Sequence, residues 1–177
     1  MVKHLVISFI ADDRPGLVDA LSRAVTDAGG NWCESRMARL AEKFAGIVSI
    51  ELPGDSHVDQ LKAALGAFEA DGMHVTVTEA QPETVPPGTG LLLEIVGPDQ
   101  PGIVQEITRC LAQHGVSIET MESRTENAPM GGGMLFRAQL EVRGPVDIDQ
   151  EALIAELETI ATALIVDLAY REIGNPA

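Results

Sequence analysis

Two short stretches of this 177-residue chain carry residue types that act chemically in company, Asp13-Arg14-Pro15-Gly16 and Asp99-Gln100-Pro101-Gly102. Each follows an apolar run of strand type and precedes an apolar stripe of helical period, so each is a strand-to-helix turn. Two readings of such a turn compete. In one, Asp13 and Asp99 cap the helix and the proline occupies its first turn, which is a structural device only. In the other, Gly16 and Gly102 leave the helix end bare, so that unpaired amides and the positive end of the helix dipole meet a carboxylate. A single four-residue motif does not choose between these readings. Its recurrence at an equivalent place makes it more specific.

Other chemistries find no constellation. His4, His57, His74 and His114 form no H-x-x-x-H pattern and no mixed cluster with Cys33 or Cys110, so no metal site is expected. The serines lack a G-x-S-x-G context, and neither a P-loop nor a dinucleotide fingerprint is present. Gly131-Gly132-Gly133 has no following Lys and Ser or Thr and reads as a hairpin tip. A small hydrolase of the acylphosphatase kind would require an anion-gripping arginine and a partnered asparagine. Arg14 stands in a suitable loop, but its counterpart is Gln100 and no companion set is visible. No catalytic residue and no cofactor are therefore expected.

The elements that must position the two turns form an internal repeat. Leu17, Val18, Leu21, Ala24, Val25 and Ala28 make one helix face, answered at a shift of 86 residues by Ile103, Val104, Ile107, Cys110, Leu111 and His114. Gly29 and Gly115 end the two helices. Strand-like runs precede the turns at His4 to Ala11 and Leu91 to Gly97. Hairpins follow at Asn31 to Leu40 with Phe44 to Leu52, and at Ser117 to Thr125 with Met134 to Arg143. The second hairpin has a longer tip, Asn127 to Gly133, and the shift is read as growing to 90 residues at Glu51 and Glu141. Val58, Leu61, Leu65 and Phe68 then form a second helix before Val75 and Val77. Leu153, Leu157, Ile160 and Ala161 do the same before a strand at Ile165 to Ile173. Both halves spell βαββαβ. The expected fold is α+β, with two ferredoxin-like units in tandem whose antiparallel sheets carry their helices on one face. The boundaries are 1–80 for the first domain, 81–89 for a linker stiffened by Pro82, Pro86 and Pro87, and 90–177 for the second.

Composition narrows the class. Apolar residues at 45% and charged residues at 22% place the chain among globular proteins. The 12 basic against 27 acidic side chains give a net charge of −15, which repels phosphate backbones and disfavours direct nucleic-acid binding. Two isolated cysteines make no disulfide framework, and no run has the length of a signal sequence or a membrane span. A reducing cytoplasm is the expected compartment. Both faces of the first strand of each half look partly apolar, with Leu5, Ile7 and Phe9 against Val6 and Ile10, and Leu91, Leu93 and Ile95 against Leu92 and Val96. Either those strands are central and apolar all round, or the second face meets another unit or chain.

The Asp-x-Pro-Gly turns, the doubled βαββαβ pattern and the stretch Gly30-Asn31-Trp32-Cys33-Glu34-Ser35-Arg36-Met37-Ala38 resemble the ACT domain family. Within it they are most similar to the group of glycine cleavage system transcriptional repressors. The likeness runs from Lys3 to about Ile173 and is strongest over His4 to Leu52. What the resemblance implies is binding of a small amino acid, glycine or serine, through the first loop and the start of the second strand. In this sequence those positions are Asp13, Pro15, Gly16, Leu17, Asn31 and Trp32. In the second half they are Asp99, Pro101, Gly102, Ile103, Ser117 and Ile118, where Ser117 lacks the amide of Asn31. The resemblance further implies a repressor of transcription that contacts a DNA-bound activator rather than DNA. The two units are expected to assemble as a pseudo-dimer within the chain, and the chain to form a homo-oligomer. An amino-acid-sensing or oligomerising module outside transcription is the alternative.

Overall fold

The computed structural model describes residues 1–81, 88–129 and 132–174. Contacts divide the chain into two compact units, Met1–Thr84 and Val85–Ala177. The first unit runs β1 (Lys3–Asp12), α1 (Leu17–Asp27), β2 (Asn31–Leu40), β3 (Lys43–Leu52), α2 (Asp55–Gly66), a 3-10 turn (Ala67–Asp71) and β4 (His74–Glu79). The second runs β5 (Thr89–Pro98), α3 (Ile103–Gln113), β6 (Ser117–Asn127), β7 (Met134–Gly144), α4 (Gln150–Ala163) and β8 (Asp167–Ile173). The sheet orders are β2-β3-β1-β4 and β6-β7-β5-β8, with every pairing antiparallel. The ferredoxin-like arrangement is thus present twice. The proline-rich stretch expected as a linker falls largely on 82–87, outside the described residues, and β5 already begins at Thr89.

Alternation along the central strands builds each core. Leu5, Ile7 and Phe9 on β1 are buried together with Leu21 and Val25 of α1 and Leu61 and Leu65 of α2. Leu91, Leu93 and Ile95 on β5 are buried with Ile107 and Leu111 of α3 and Leu153 and Leu157 of α4. Each sheet therefore covers one face with two helices and leaves the other face uncovered by them. Val18 and Val104, expected on the buried helix faces, lie off the stripe and stay 40% and 41% exposed. Ile165, expected to open the last strand, instead takes a left-handed turn with φ 56° and is 76% exposed, so β8 starts two residues later.

The pairing register corrects the repeat alignment. His4 pairs with Glu51, and its counterpart Gly90 pairs with Arg143, so β3 and β7 are related by a shift of 143 − 51 = 92, not 90. The reason lies in the hairpins. β2 returns into β3 through Ala41 and Glu42 alone, both left-handed, whereas β6 and β7 are each one residue longer and join through residues 128–133. Positions 130 and 131 of that glycine-rich tip lie outside the described residues.

Candidate functional site

The two Asp-x-Pro-Gly turns are built alike, and neither uses its aspartate as a cap. The residue before each helix is the glycine, Gly16 at φ 93° and Gly102 at φ 100°, with no side-chain cap hydrogen bond, and the prolines fall in the turn ahead of the helices. Asp13 spends its carboxylate on Arg39 Nε at 2.7 Å and its amide on the carbonyl of Glu42 at 2.9 Å. Asp99 donates its amide to the carbonyl of Met134 at 2.9 Å. The aspartates thus bind the turn to the hairpin beside it, which sets aside the one of the two readings in which they cap α1 and α3. The glycines are required by the backbone: a left-handed φ is costly for any residue with a Cβ.

What remains at the helix ends is open. A Cβ placed on Gly16 or Gly102 would meet nothing within 4 Å. Asp13, Pro15, Asp99 and Pro101 are exposed, while Leu17 and Ile103 turn into the cores. The first-turn amides of α1 and α3 therefore lie at the positive end of a helix dipole, beside a glycine with free space where a side chain would stand, an arrangement that can receive a carboxylate. The variable second residue of each turn does the same work by different means. Arg14 donates to the carbonyl of Asp71 at 3.0 Å, and Gln100 donates to the carbonyl of Leu164. Both anchor the turn to the end of the second helical segment, so Arg14 is occupied in a structural contact.

The residues at the start of the second strand lie elsewhere. Asn31 pairs with Glu51, which pairs with His4, at the end of the sheet opposite the turn that Asp12 and Lys43 close. Along β1 that separation is roughly 25–30 Å at about 3.3 Å per residue. The second unit repeats the division, with Ser117 beside Arg143 and Gly90. The structure brings Asp13, Pro15, Gly16 and Leu17 together, and Asn31 with Trp32, but does not bring these two groups together within a unit. Trp32 is half-buried against the first core, and Ser117 and Ile118 are exposed.

Both strand starts carry a β-bulge, between Trp32 and Glu34 and between Ile118 and Thr120, a feature that sequence reading missed. The bulged residues are Cys33 and Glu119. Glu119 grips Arg143 through Nε and through Nη2 at 3.3 Å, and Arg143 is the one buried charged residue among those described. The hydrogen bond that Arg143 donates to the Glu119 carboxylate holds the guanidinium above its ordinary pKa. In the first unit the matching positions are Cys33 and Glu51, and Glu51 faces His4 Nδ1 at 3.5 Å instead.

Two further features stand apart from the turns. A cavity of about 290 Å³ lies on the uncovered face of the second sheet, lined by Glu94, Val96, Glu122, Arg124, Arg137 and Gln139 among others. None of its lining residues belongs to a turn or strand start, and Arg124 and Arg137 already pair with Glu126 at 3.1 and 3.2 Å. Cys110, His114 and Glu156 also meet, with one potential ligand atom from each within 4.8 Å of the others. That corrects the expectation of no mixed Cys and His cluster. The i, i+4 spacing of Cys110 and His114 on α3 was the available signal. Among the described residues no helix is long and apolar enough to cross a membrane.

Comparison with known proteins agrees with this fold. A family model described as ACT domain matches residues 3–78 and again residues 89–170. The glycine cleavage system transcriptional repressor of Escherichia coli (strain K12) is 25% identical over 163 residues, covering 91% of this chain and 85% of that protein. The protein of the same name from Shigella flexneri matches to the same extent. The crystal structure of an unknown protein from Galdieria sulphuraria is 30% identical and superposes with a TM-score of 0.84 over 98% of this chain and 100% of that one. The named relatives are regulators rather than enzymes.

Proposed function

The chain belongs to the ACT domain family in both halves, and from that premise we propose that it is a non-catalytic regulator that binds a small amino acid, glycine foremost, and controls transcription through a protein partner. The observation that carries the reading is the pair of bare helix ends behind Gly16 and Gly102, each left-handed, each facing open space, and each found where an amino-acid carboxylate would be held. Similarity to the Escherichia coli repressor supports the transcriptional part. The net charge of −15 favours a protein partner, a DNA-bound activator, over DNA itself. Asp13, Pro15, Gly16 and Leu17 hold the carboxylate end of the ligand in this reading, with Asp99, Pro101, Gly102 and Ile103 as the second loop. Asn31 and Trp32, or Ser117 and Ile118, contribute from another copy of the chain in a homo-oligomer, because they stand at the far end of their own sheet.

Regulation then requires that the amino acid bind two arrangements of the protein unequally. Thermal unfolding with a panel of amino acids, followed by calorimetric titration, tests the proposal. A hundredfold excess of effector over its Kd raises stability by about 2.7 kcal/mol. We expect a shift for glycine or serine that Gly16→Val abolishes. No shift for any amino acid at millimolar concentration would sink the sensor reading and favour a purely oligomerising module.

A further inference from the structure

Helices α3 and α4 carry three side chains that the proposed function does not use. Cys110, in the last turn of α3, is fully buried, and His114 caps that helix four residues on. The spacing puts thiol and imidazole on one face. Glu156, from the middle of α4, places its Oε2 2.9 Å from His114 Nε2, and the three potential ligand atoms lie within 4.8 Å of one another. The carbonyl end of a helix is its negative end, which favours a cation there.

The first unit shows what these positions hold when packing alone decides. The shift of 86 residues relates Cys110 and His114 to Ala24 and Ala28. The shift of 92, which also superposes the buried pairs Leu61 with Leu153 and Leu65 with Leu157, relates Glu156 to Ala64. Three alanines therefore suffice to join the same two helices in the same fold. A thiol, an imidazole and a carboxylate are not demanded by the core.

We infer that Cys110 Sγ, His114 Nε2 and Glu156 Oε2 form a three-ligand site for a divalent cation of the zinc class, tying the end of α3 to α4. One sulfur, one nitrogen and one oxygen donor suit zinc, whereas magnesium and calcium call for oxygen alone. The side chains grade outward, with Cys110 inside, His114 21% exposed and Glu156 46% exposed, so the fourth position faces water. Burial, reinforced by the Glu156 carboxylate, raises the free thiol to about 11. The metal-free thiol is thus protonated at neutral pH, and the cation takes its place as the thiol proton leaves to solvent. Arg109, the nearby cation on α3, is paired with Glu106.

The test titrates the metal-free, full-length chain with Co²⁺, follows the thiolate-to-cobalt charge-transfer absorption, and displaces the cobalt with Zn²⁺. One cobalt per chain with that absorption is expected, unchanged in Cys33→Ser, which removes the exposed thiol. Cys110→Ala should lose the absorption. His114→Ala and Glu156→Ala should each weaken zinc by more than the roughly 10–100-fold typical when a ligand loses only its hydrogen-bonded neighbour. The alanines at 24, 28 and 64 indicate that these variants fold, and far-ultraviolet dichroism checks it. Absence of the charge-transfer band with cobalt in excess, its survival in Cys110→Ala, or zinc affinity indifferent to His114→Ala and Glu156→Ala would overturn the assignment.

Discussion

On the first sheet, the face turned away from the helices carries Val6, Ser8, Ile10, Ala38, Ala45 and Ile47; the equivalent places on the second carry Leu92, Glu94, Val96, Arg124, Arg137 and Gln139. The middle of one face is small and apolar, with Ile10 and Ile47 about half exposed at 45% and 51% and Arg36 standing opposite Ile47. The other is charged and hollowed by the 290 Å³ cavity. On the helix side the two units keep one apolar side chain against another, with Leu5, Leu61 and Leu65 matched by Leu91, Leu153 and Leu157, and Ile7, Leu21 and Val25 by Leu93, Ile107 and Leu111. Close packing against two helices leaves a core side chain little freedom of volume. The outer face meets no such constraint, and there the two copies have diverged.

The largest expected effect tests whether the two cores are separate. Leu61→Ala and Leu153→Ala remove equivalent, fully buried side chains and should each cost about 2–5 kcal/mol. Hydrogen exchange should show protection lost in the mutated unit only; equal loss in both units from either variant would mean that the two cores unfold as one. Next come the turns. Gly16→Ala and Gly102→Ala put a Cβ on equally left-handed residues with free space around them, so denaturant midpoints should report matching losses of about 1–2 kcal/mol. Amino-acid binding should respond unequally and fall further for Gly16→Ala where the turn of the first unit is met by Asn31 of another copy, which offers an amide that Ser117 lacks.

Helix starts give a smaller contrast. Asp149 accepts the amide of Ala152 at 2.9 Å, whereas the matching end of α2 is Gly54 with no side-chain cap. Asp149→Ala should cost about 1 kcal/mol, and Gly54→Asp should gain a few tenths, both read from urea midpoints. The smallest effect is electrostatic. Hydrogen bonds from Lys43 and Lys3 hold Asp12 and Asp55 below the usual carboxylate range in the first unit, and those from Arg124 and Arg137 do so for Glu126 in the second. The folded chain therefore binds these protons less readily than the unfolded chain. Their stabilisation is present above the ordinary carboxylate pKa and is lost as pH falls through the lower folded values. All three are surface groups, so the drop in Tm between pH 7 and 3 should shrink in high salt and be slightly shallower in Asp12→Asn. An identical profile in that variant would remove Asp12 from the account.

The fold was legible because its signals were redundant. Leu5, Ile7 and Phe9 alternate, Leu17, Leu21 and Val25 keep helical period, and the repeat states each pattern twice. The alignment through the hairpins was less so, because nothing in the run from Glu126 to Leu135 marks where β6 stops pairing. At the turns the glycines were readable. The destiny of Asp13 was not, since Arg39 competes for it from a strand 26 residues away. Cys110 and His114 lay in plain view at four-residue spacing, but Glu156 completes the group only through the packing of α4 on α3. Likewise the opposite placement of Gly16 and Asn31 follows from strand register, which a list of site residues does not contain.

Under the proposed function, in which the site is shared between copies of the chain, that opposite placement would make ligand affinity a measure of assembly. An effector gripped by the turn of one copy and the strand start of another is bound only by chains already in company, so its apparent affinity climbs with protein concentration. Reciprocity then obliges the effector to tighten association by the factor that association tightens the effector. Dilution alone would release it, with no change in the amino-acid concentration.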